Sequence, residues 1–198
     1  LMKIDFTIPE DGNWHRYCVV CRIEDVEQIN EGGIIKYRCN ACGEVKERAL
    51  YFDKHRYWID KNNELWHESS GVFVRNKTGK YLFFKRNEYP FSLTIPSGHV
   101  DKRESAEQGA ARELKEEVGI TGVLQHLRTE DVVGDSCSSG ADAHRWSAFL
   151  LEYDGPEEIR ILEEGEAALW LSLDEAQKQG MVFVVDHMTK QCRSLLES

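Results

Sequence analysis

The chain has 198 residues, 41% of them hydrophobic and 30% charged, with a formal net charge of -10. That length holds one ordinary domain plus a small module rather than two full domains, and the acidic balance argues against a general nucleic-acid binder, because phosphate contacts need clustered Lys and Arg. No apolar run approaches the roughly 18 residues of a membrane span, and Leu1-Met2-Lys3-Ile4-Asp5 shows no apolar signal core, so a cytoplasmic protein with Met2 as its natural start is expected.

Residues 1 to about 13 read as a polar leader containing Pro9, Gly12 and Asn13. Two cysteine pairs follow, Cys18-x2-Cys21 and Cys39-x2-Cys42, with seventeen residues between them. In a cytosolic chain such pairs point to a metal rather than to disulfides. Each C-x2-C turn aims two thiolates at one point, and two turns complete a tetrahedron around Zn²⁺ with no position left open, so the expected role is structural. Gly43 suits a tight knuckle, and Glu31-Gly32-Gly33 suits a hairpin tip between strands over 26–29 and 34–37. Residues 1–57 are expected to form this zinc-ribbon module. From His15 to Arg56 there are eight Lys or Arg against seven Asp or Glu, which is no basic patch. The module is therefore expected to pack on the rest of the chain or to support a homodimer rather than to bind nucleic acid.

Asp60-Lys61-Asn62-Asn63-Glu64 is a linker or turn, and from residue 66 the pattern is that of a compact α/β domain. The run Val72-Phe73-Val74 predicts a buried strand over 70–75, Asn76 to Gly79 a turn, and 80–86 a second strand. Leu93-Thr94-Ile95 is a short strand stopped by Pro96. Ser105 and Gln108 form a capping box that opens a helix, and Gly119 closes it. Strands are expected over 120–133 and 144–153 around a small-residue loop, 134–143, and again over 169–171. Ser172 caps a short helix, and a terminal helix runs from about 185 to 196. Within the loop, Cys137 reads as an incidental cysteine with no His or Asp partner in the local pattern; His144 and His187 are unassigned. Trp146, Phe84 and Tyr89 read as core aromatics before base-stacking ones, and Arg86 as a solvated strand end.

The most informative stretch is the helix after Gly98. At roughly 100° per residue, Glu113, Glu116 and Glu117 share one arc, while Ala110, Ala111, Leu114 and Val118 define the buried face. Three carboxylates so close repel one another, and a hard divalent cation such as Mg²⁺ or Mn²⁺ relieves that repulsion. Gly109, costly in mid-helix, implies a close backbone approach. The series Gly98, Glu104, Arg112, Glu113, Leu114, Glu116, Glu117, Gly119 and Ile120 fits G-x5-E-x7-R-E-U-x-E-E-x-G-U, with U aliphatic, and so resembles the signature box of the Nudix family.

That resemblance covers residues 66–198 and implies an α/β/α sandwich with a mixed sheet. It implies Glu113 and Glu117 as main ligands of Mg²⁺ or Mn²⁺, Glu116 as a further ligand, the Gly98 carbonyl within reach, and Glu104 and Arg112 orienting the ligands. The implied activity is attack of water on a phosphoanhydride of a nucleoside diphosphate linked to another moiety, such as ADP-ribose, NADH or a similar dinucleotide. The family's general base often precedes a late strand. Here Glu163, Glu164 and Glu166 precede Leu169-Trp170-Leu171, and Glu164 has the spacing most like the pattern. A ribbon ahead of such a domain is similar to the arrangement in NADH pyrophosphatases, yet no Ser-Gln-Pro-Trp-Pro-Phe-Pro-like segment follows the box. The alternative from another class is a non-catalytic nucleotide-binding or regulatory module using the ribbon as an interaction surface.

Overall fold

In the computed structural model, residues 1–52, 56–162, 165 and 167–198 are described. In chain order the elements are β1 (His15–Tyr17), β2 (Val26–Glu31), β3 (Ile34–Cys39), β4 (Val45–Lys46), β5 (Leu50–Phe52), β6 (Tyr57–Ile59), β7 (Leu65–Asn76), β8 (Tyr81–Lys85), β9 (Leu93–Thr94), β10 (Ser97–His99) and α1 (Ala106–Val118). After them come β11 (Gln125–Val133), β12 (Ala143–Tyr153), β13 (Leu169–Leu171), α2 (Leu173–Gln179) and α3 (Phe183–Leu196).

The main sheet runs β11-β12-β7-β8-β13, with β6 and β10 also on β7 and β9 on β8. It is mixed: β12 lies parallel to β7, and the other pairs are antiparallel. Successive side chains of a strand face opposite sides of a sheet, and the central strands bury both. Val72 and Val74 of β7, Leu82 and Phe84 of β8, and Phe149 and Leu151 of β12 pack against Ala110, Leu114 and Val118 of α1. Phe73, Phe83 and Leu150 face the other way, onto Val185, Met188 and Cys192 of α3. The result is a helix–sheet–helix sandwich with an apolar layer on each face, which explains why these strands read as continuous apolar runs.

The cysteine pairs flank a three-stranded sheet, β2-β3-β4. Each knuckle closes on a left-handed residue just after its second cysteine. Gly43 takes φ +75° with its N–H on the Cys39 carbonyl, and Arg22 takes φ +63° with its N–H on the Cys18 carbonyl. Glycine adopts that conformation without strain, whereas a residue with a Cβ is uncommon there, so the Arg22 knuckle is the one the sequence disguises.

Two expectations change. The polar leader is packed: Ile4 is buried, its N–H donates to the Asn63 carbonyl, and Met2, Phe6 and Ile8 join a cluster with Tyr17, Leu50, Phe52 and Leu65. Of the two readings of residues 60–64, the turn holds: they close the β6–β7 hairpin, with Asp60 accepting from the N–H groups of Asn62 and Glu64. Ala111 is exposed, and its place on the buried face goes to Gly109 and Glu117.

Candidate functional site

β10 leads through a turn into α1, and paired contacts fix the geometry of both. Ser97, Gly98 and His99 pair with Gly71, Ser70 and Ser69 of β7. At the helix start, Ser105 accepts from Gln108 N–H while the Gln108 side chain accepts from Ser105 N–H, the capping box expected from the sequence. At its end Gly119 adopts φ +70° and donates to the Lys115 carbonyl. A Cβ on Gly109 would meet Glu104 Oε1 at 3.1 Å and Ser70 Oγ at 3.3 Å, so the missing side chain does permit the close approach of α1 to the sheet.

Arg112 organises the carboxylates. Its guanidinium lies 2.7 Å from Glu104, 2.6 Å from Glu113 and 3.1 Å from Glu116, and it donates to the His99 carbonyl at 2.9 Å. Glu104 also accepts from Asp101 N–H at 2.8 Å. Its hydrogen bond from Arg112 holds its carboxyl below the usual carboxylate range, and the three carboxylates around Arg112 push the guanidinium further up. The box thus joins the β10 turn to α1 through one cation that is charged at all accessible pH.

The three box glutamates occupy different surroundings. Glu117 is 2% exposed, and its Oε2 accepts from Ser97 N–H at 2.9 Å. Glu113, one turn earlier, has a side chain 17% exposed and shares the wall of a cavity of about 250 Å³ with Gly98. A Cβ at position 98 would stand 2.7 Å from Glu113 Oε2 and closer still to its other carboxylate atoms. Backbone and carboxylate therefore meet with room for nothing larger than hydrogen. Glu116, 48% exposed, stands at the rim of the array. Glu163, Glu164 and Glu166 lie outside the described residues. Their described neighbours are anchored: Leu162 N–H donates to the Glu117 carbonyl at 2.7 Å, and Gly165 bridges to Arg86.

The same cavity is also lined by residues 135–139, His99, His144, Trp146, Tyr89 and Arg86. Tyr89 is half-buried, whereas Phe84 is fully buried, in line with its reading as core. Reading Cys137 as lacking partners proves wrong. Its sulfur lies 3.6 Å from His67 Nδ1, and His67, His99 and His144 gather around it. The Asp135 carboxylate is 2.9 Å from His144 Nδ1. Burial pushes His67 down to about 4. For Cys137 and His144 burial opposes ionisation, but their mutual attraction overrides it and moves the thiol down and the imidazole up. No local pattern could have found this group, because its members are separated by up to 77 positions; only the β7–β12 and β7–β10 pairings bring them together.

In the N-terminal module, Cys18 Sγ lies 3.8 Å from Cys42 Sγ and Cys21 Sγ lies 3.5 Å from Cys39 Sγ, with all four sulfurs within 4.8 Å of one another. These separations are far beyond a disulfide bond of about 2.05 Å. No helix among the described residues is long and apolar enough to cross a membrane.

Residues 65–192 match the NUDIX domain. The chain is 35% identical over 107 residues to the asymmetrical bis(5'-nucleosyl)-tetraphosphatase of Rattus norvegicus, covering 52% of this chain and 71% of the relative. Among solved structures, an Ap4A hydrolase of C. elegans aligns with a TM-score of 0.55 at 22% identity, over 66% of this chain and 97% of that one. The NUDIX domain of Shewanella oneidensis NrtR, complexed with ADP ribose, aligns with a TM-score of 0.57 at 18% identity, over 70% of this chain and 94% of that one. At those identities the structural likeness is one of fold, while the family match and the sequence relative carry the assignment: the chain belongs to the NUDIX family and is a Nudix pyrophosphohydrolase.

Proposed function

We propose that this chain hydrolyses a phosphoanhydride bond in a nucleoside di- or polyphosphate carrying a second moiety, such as a dinucleoside polyphosphate or ADP-ribose, with Mg²⁺ or Mn²⁺ at the box. The observation that carries the reading is the meeting of Gly98 and the Glu113 carboxylate on one cavity wall, with the Glu117 carboxylate one helical turn away. Hard oxygen donors of this kind suit Mg²⁺ or Mn²⁺. Glu113 and Glu117 would hold the ion with the Gly98 carbonyl, and Glu116 would join from the rim. When bound, the ion neutralises phosphate charge and lowers the pKa of a water. Arg112 and Glu104 keep the carboxylates aimed, Tyr89 offers a face to a base, and Arg86 offers charge to a phosphate. Glu164 is the proposed general base, supported by the anchoring of its neighbours Leu162 and Gly165 beside α1 and Arg86.

Residues 1–57 and 66–198 are proposed as the two modules, the first held by Zn²⁺ on Cys18, Cys21, Cys39 and Cys42. In a tetrahedron with Zn–S bonds of about 2.3 Å, neighbouring sulfurs stand about 3.8 Å apart, close to the 3.8 and 3.5 Å separations here. The ribbon is proposed as a structural support for the catalytic module, in a cytoplasmic protein.

A substrate panel tests the reading: diadenosine polyphosphates, ADP-ribose, NADH, NAD⁺, FAD and nucleoside triphosphates with Mg²⁺, with products identified by mass spectrometry and Glu117→Gln as control. Cleavage of one class that is lost in the control supports hydrolysis. Binding of a nucleotide without turnover across the panel would favour a binding module instead.

A further inference from the structure

We infer that His67, His99, Cys137 and His144 form a second transition-metal site, for Zn²⁺ or a similar borderline divalent ion, separate from both the box carboxylates and the four cysteines. Each of these residues presents one nitrogen or sulfur atom, and the four atoms lie within 4.8 Å of one another. Three strands and one loop supply them. His67 on β7 is the register partner of His144 on β12, His99 ends β10 alongside β7, and Cys137 reaches in from the loop between β11 and β12.

The spacing fits one ion. With bonds of about 2.05 Å to nitrogen and about 2.3 Å to sulfur, a tetrahedral ion requires neighbouring ligands about 3.3 Å apart for two nitrogens and about 3.6 Å apart for nitrogen and sulfur. His67 Nδ1 lies 3.2 Å from His99 Nε2 and 3.6 Å from Cys137 Sγ. A single N–H···N hydrogen bond would account for the first distance alone; it gives no reason for a third imidazole and a thiol to converge on the same point. His67 and His144 are each 2% exposed, while His99 and Cys137 are partly exposed at the cavity.

Three imidazoles and a thiolate select a borderline ion, whereas Mg²⁺ prefers the oxygens of Glu113 and Glu117. Asp135, 2.9 Å from Nδ1 of His144, stands where an outer carboxylate would orient that imidazole, which would leave Nε2 for the ion. Four protein ligands close the tetrahedron, so the ion ties Cys137 and its loop to three strands and fixes one wall of the cavity. Binding releases to solvent the one proton that the Cys137–His144 pair shares.

The test counts metal in the full chain purified without chelator. Two zinc equivalents per chain are expected, one lost in Cys137→Ala or His144→Gln and the other lost in Cys42→Ser. X-ray absorption at the zinc edge of the unaltered protein avoids reliance on variants that fail to fold: the two sites together predict an average of about 2.5 sulfurs and about 1.5 nitrogens per zinc. One equivalent with sulfur ligands only, or a zinc content unmoved by Cys137→Ala, overturns the inference. One equivalent bound by three nitrogens and one sulfur keeps it and refutes the four-cysteine zinc instead.

Discussion

Replacing Gly98 with Ala separates catalytic geometry from stability. Position 98 does not occupy the left-handed region, so alanine meets no backbone strain. Its Cβ would stand 2.7 Å from Glu113 Oε2 and closer to Oε1 and Cδ, against an ordinary contact limit of 3.4 Å. The carboxylate must therefore retreat by roughly 1 Å, and a misplacement of that size in a catalytic array costs on the order of 100-fold. Because the obstruction is the end of a flexible side chain, the melting temperature should stay within a few degrees. The matching control is Gly71→Ala on the paired strand β7. There the Cβ would meet the Trp146 ring at 2.6 Å and Ser97 Cβ at 2.9 Å. These belong to packed core, where overpacking costs about 1–3 kcal/mol, a drop of several degrees for a chain of this size. Initial rates with a diadenosine polyphosphate at saturating Mg²⁺, Mn²⁺ affinity by electron paramagnetic resonance, and thermal melts read both variants. Full turnover in Gly98→Ala would refute the reasoning, since it would mean that the position of the Glu113 carboxylate is immaterial.

Arg112→Ala removes the contacts to Glu104, Glu113, Glu116 and the His99 carbonyl, and should cost about 10- to 100-fold in Mn²⁺ affinity or turnover; unchanged values would make Arg112 a surface ion-pair partner only. Glu164→Gln should lower turnover by about 10²- to 10⁴-fold with far-ultraviolet circular dichroism unchanged, and full activity would transfer the general-base role to another acid. Ser105→Ala breaks the capping box of α1 and should cost about 1 kcal/mol in urea unfolding. Asp11 and Glu24, 2.9 and 2.7 Å from the His15 ring, raise its pKa above the ordinary value of about 6.5. The folded state therefore binds the proton more tightly than the unfolded chain does. The resulting stabilisation is complete below the unfolded pKa and fades as pH rises through the higher folded one. An NMR titration of His15 should show the elevated midpoint, and Asp11→Asn should bring it down.

Legibility followed the range of the interactions. The α1 caps, the carboxylate arc and the apolar strands of β7 and β8 depend on neighbours within a few positions, so periodicity and cap residues marked them in the sequence. Ala111 falls outside the buried face because an angular reading of a helix cannot tell which side the sheet will approach; the sheet approaches along Gly109 and Ala110 instead. The leader looked polar because Ile4, Phe6 and Ile8 alternate with exposed residues, a pattern that matters only once β6 and β7 provide a surface for them. Cys137 looked solitary because its partners lie on three other elements. Long-range strand pairing leaves no local trace in any of these segments, which is why the cavity's inner wall was the least readable part of the site.

Residues 48–51 bear directly on the β11–β12 loop that lines that cavity. Ala49 and Tyr51 donate their N–H groups to the carbonyls of Ser138 and Ser139 at 3.0 and 3.2 Å. Arg48 reaches the Gly140 and Ala141 carbonyls at 2.6 and 2.9 Å and the Asp142 carboxylate at 2.7 Å. Gly140 takes φ +93°, and a Cβ there would lie 2.9 Å from the Ala49 carbonyl and 3.0 Å from Leu50 Cα, so the two segments are in backbone contact. Residues 48–51 thus hold the loop, whose residues 135–139 line the same cavity as Glu113. A loop of small polar residues has little internal packing to hold one conformation, and here the contacts from residues 48–51 supply what it lacks. The cavity is thus a joint property of the box residues Gly98 and Glu113, the β11–β12 loop and the residues 48–51 that hold that loop. The same dependence explains why a complete box leaves substrate choice undetermined: the contacts that hold the loop join residues more than 85 positions apart.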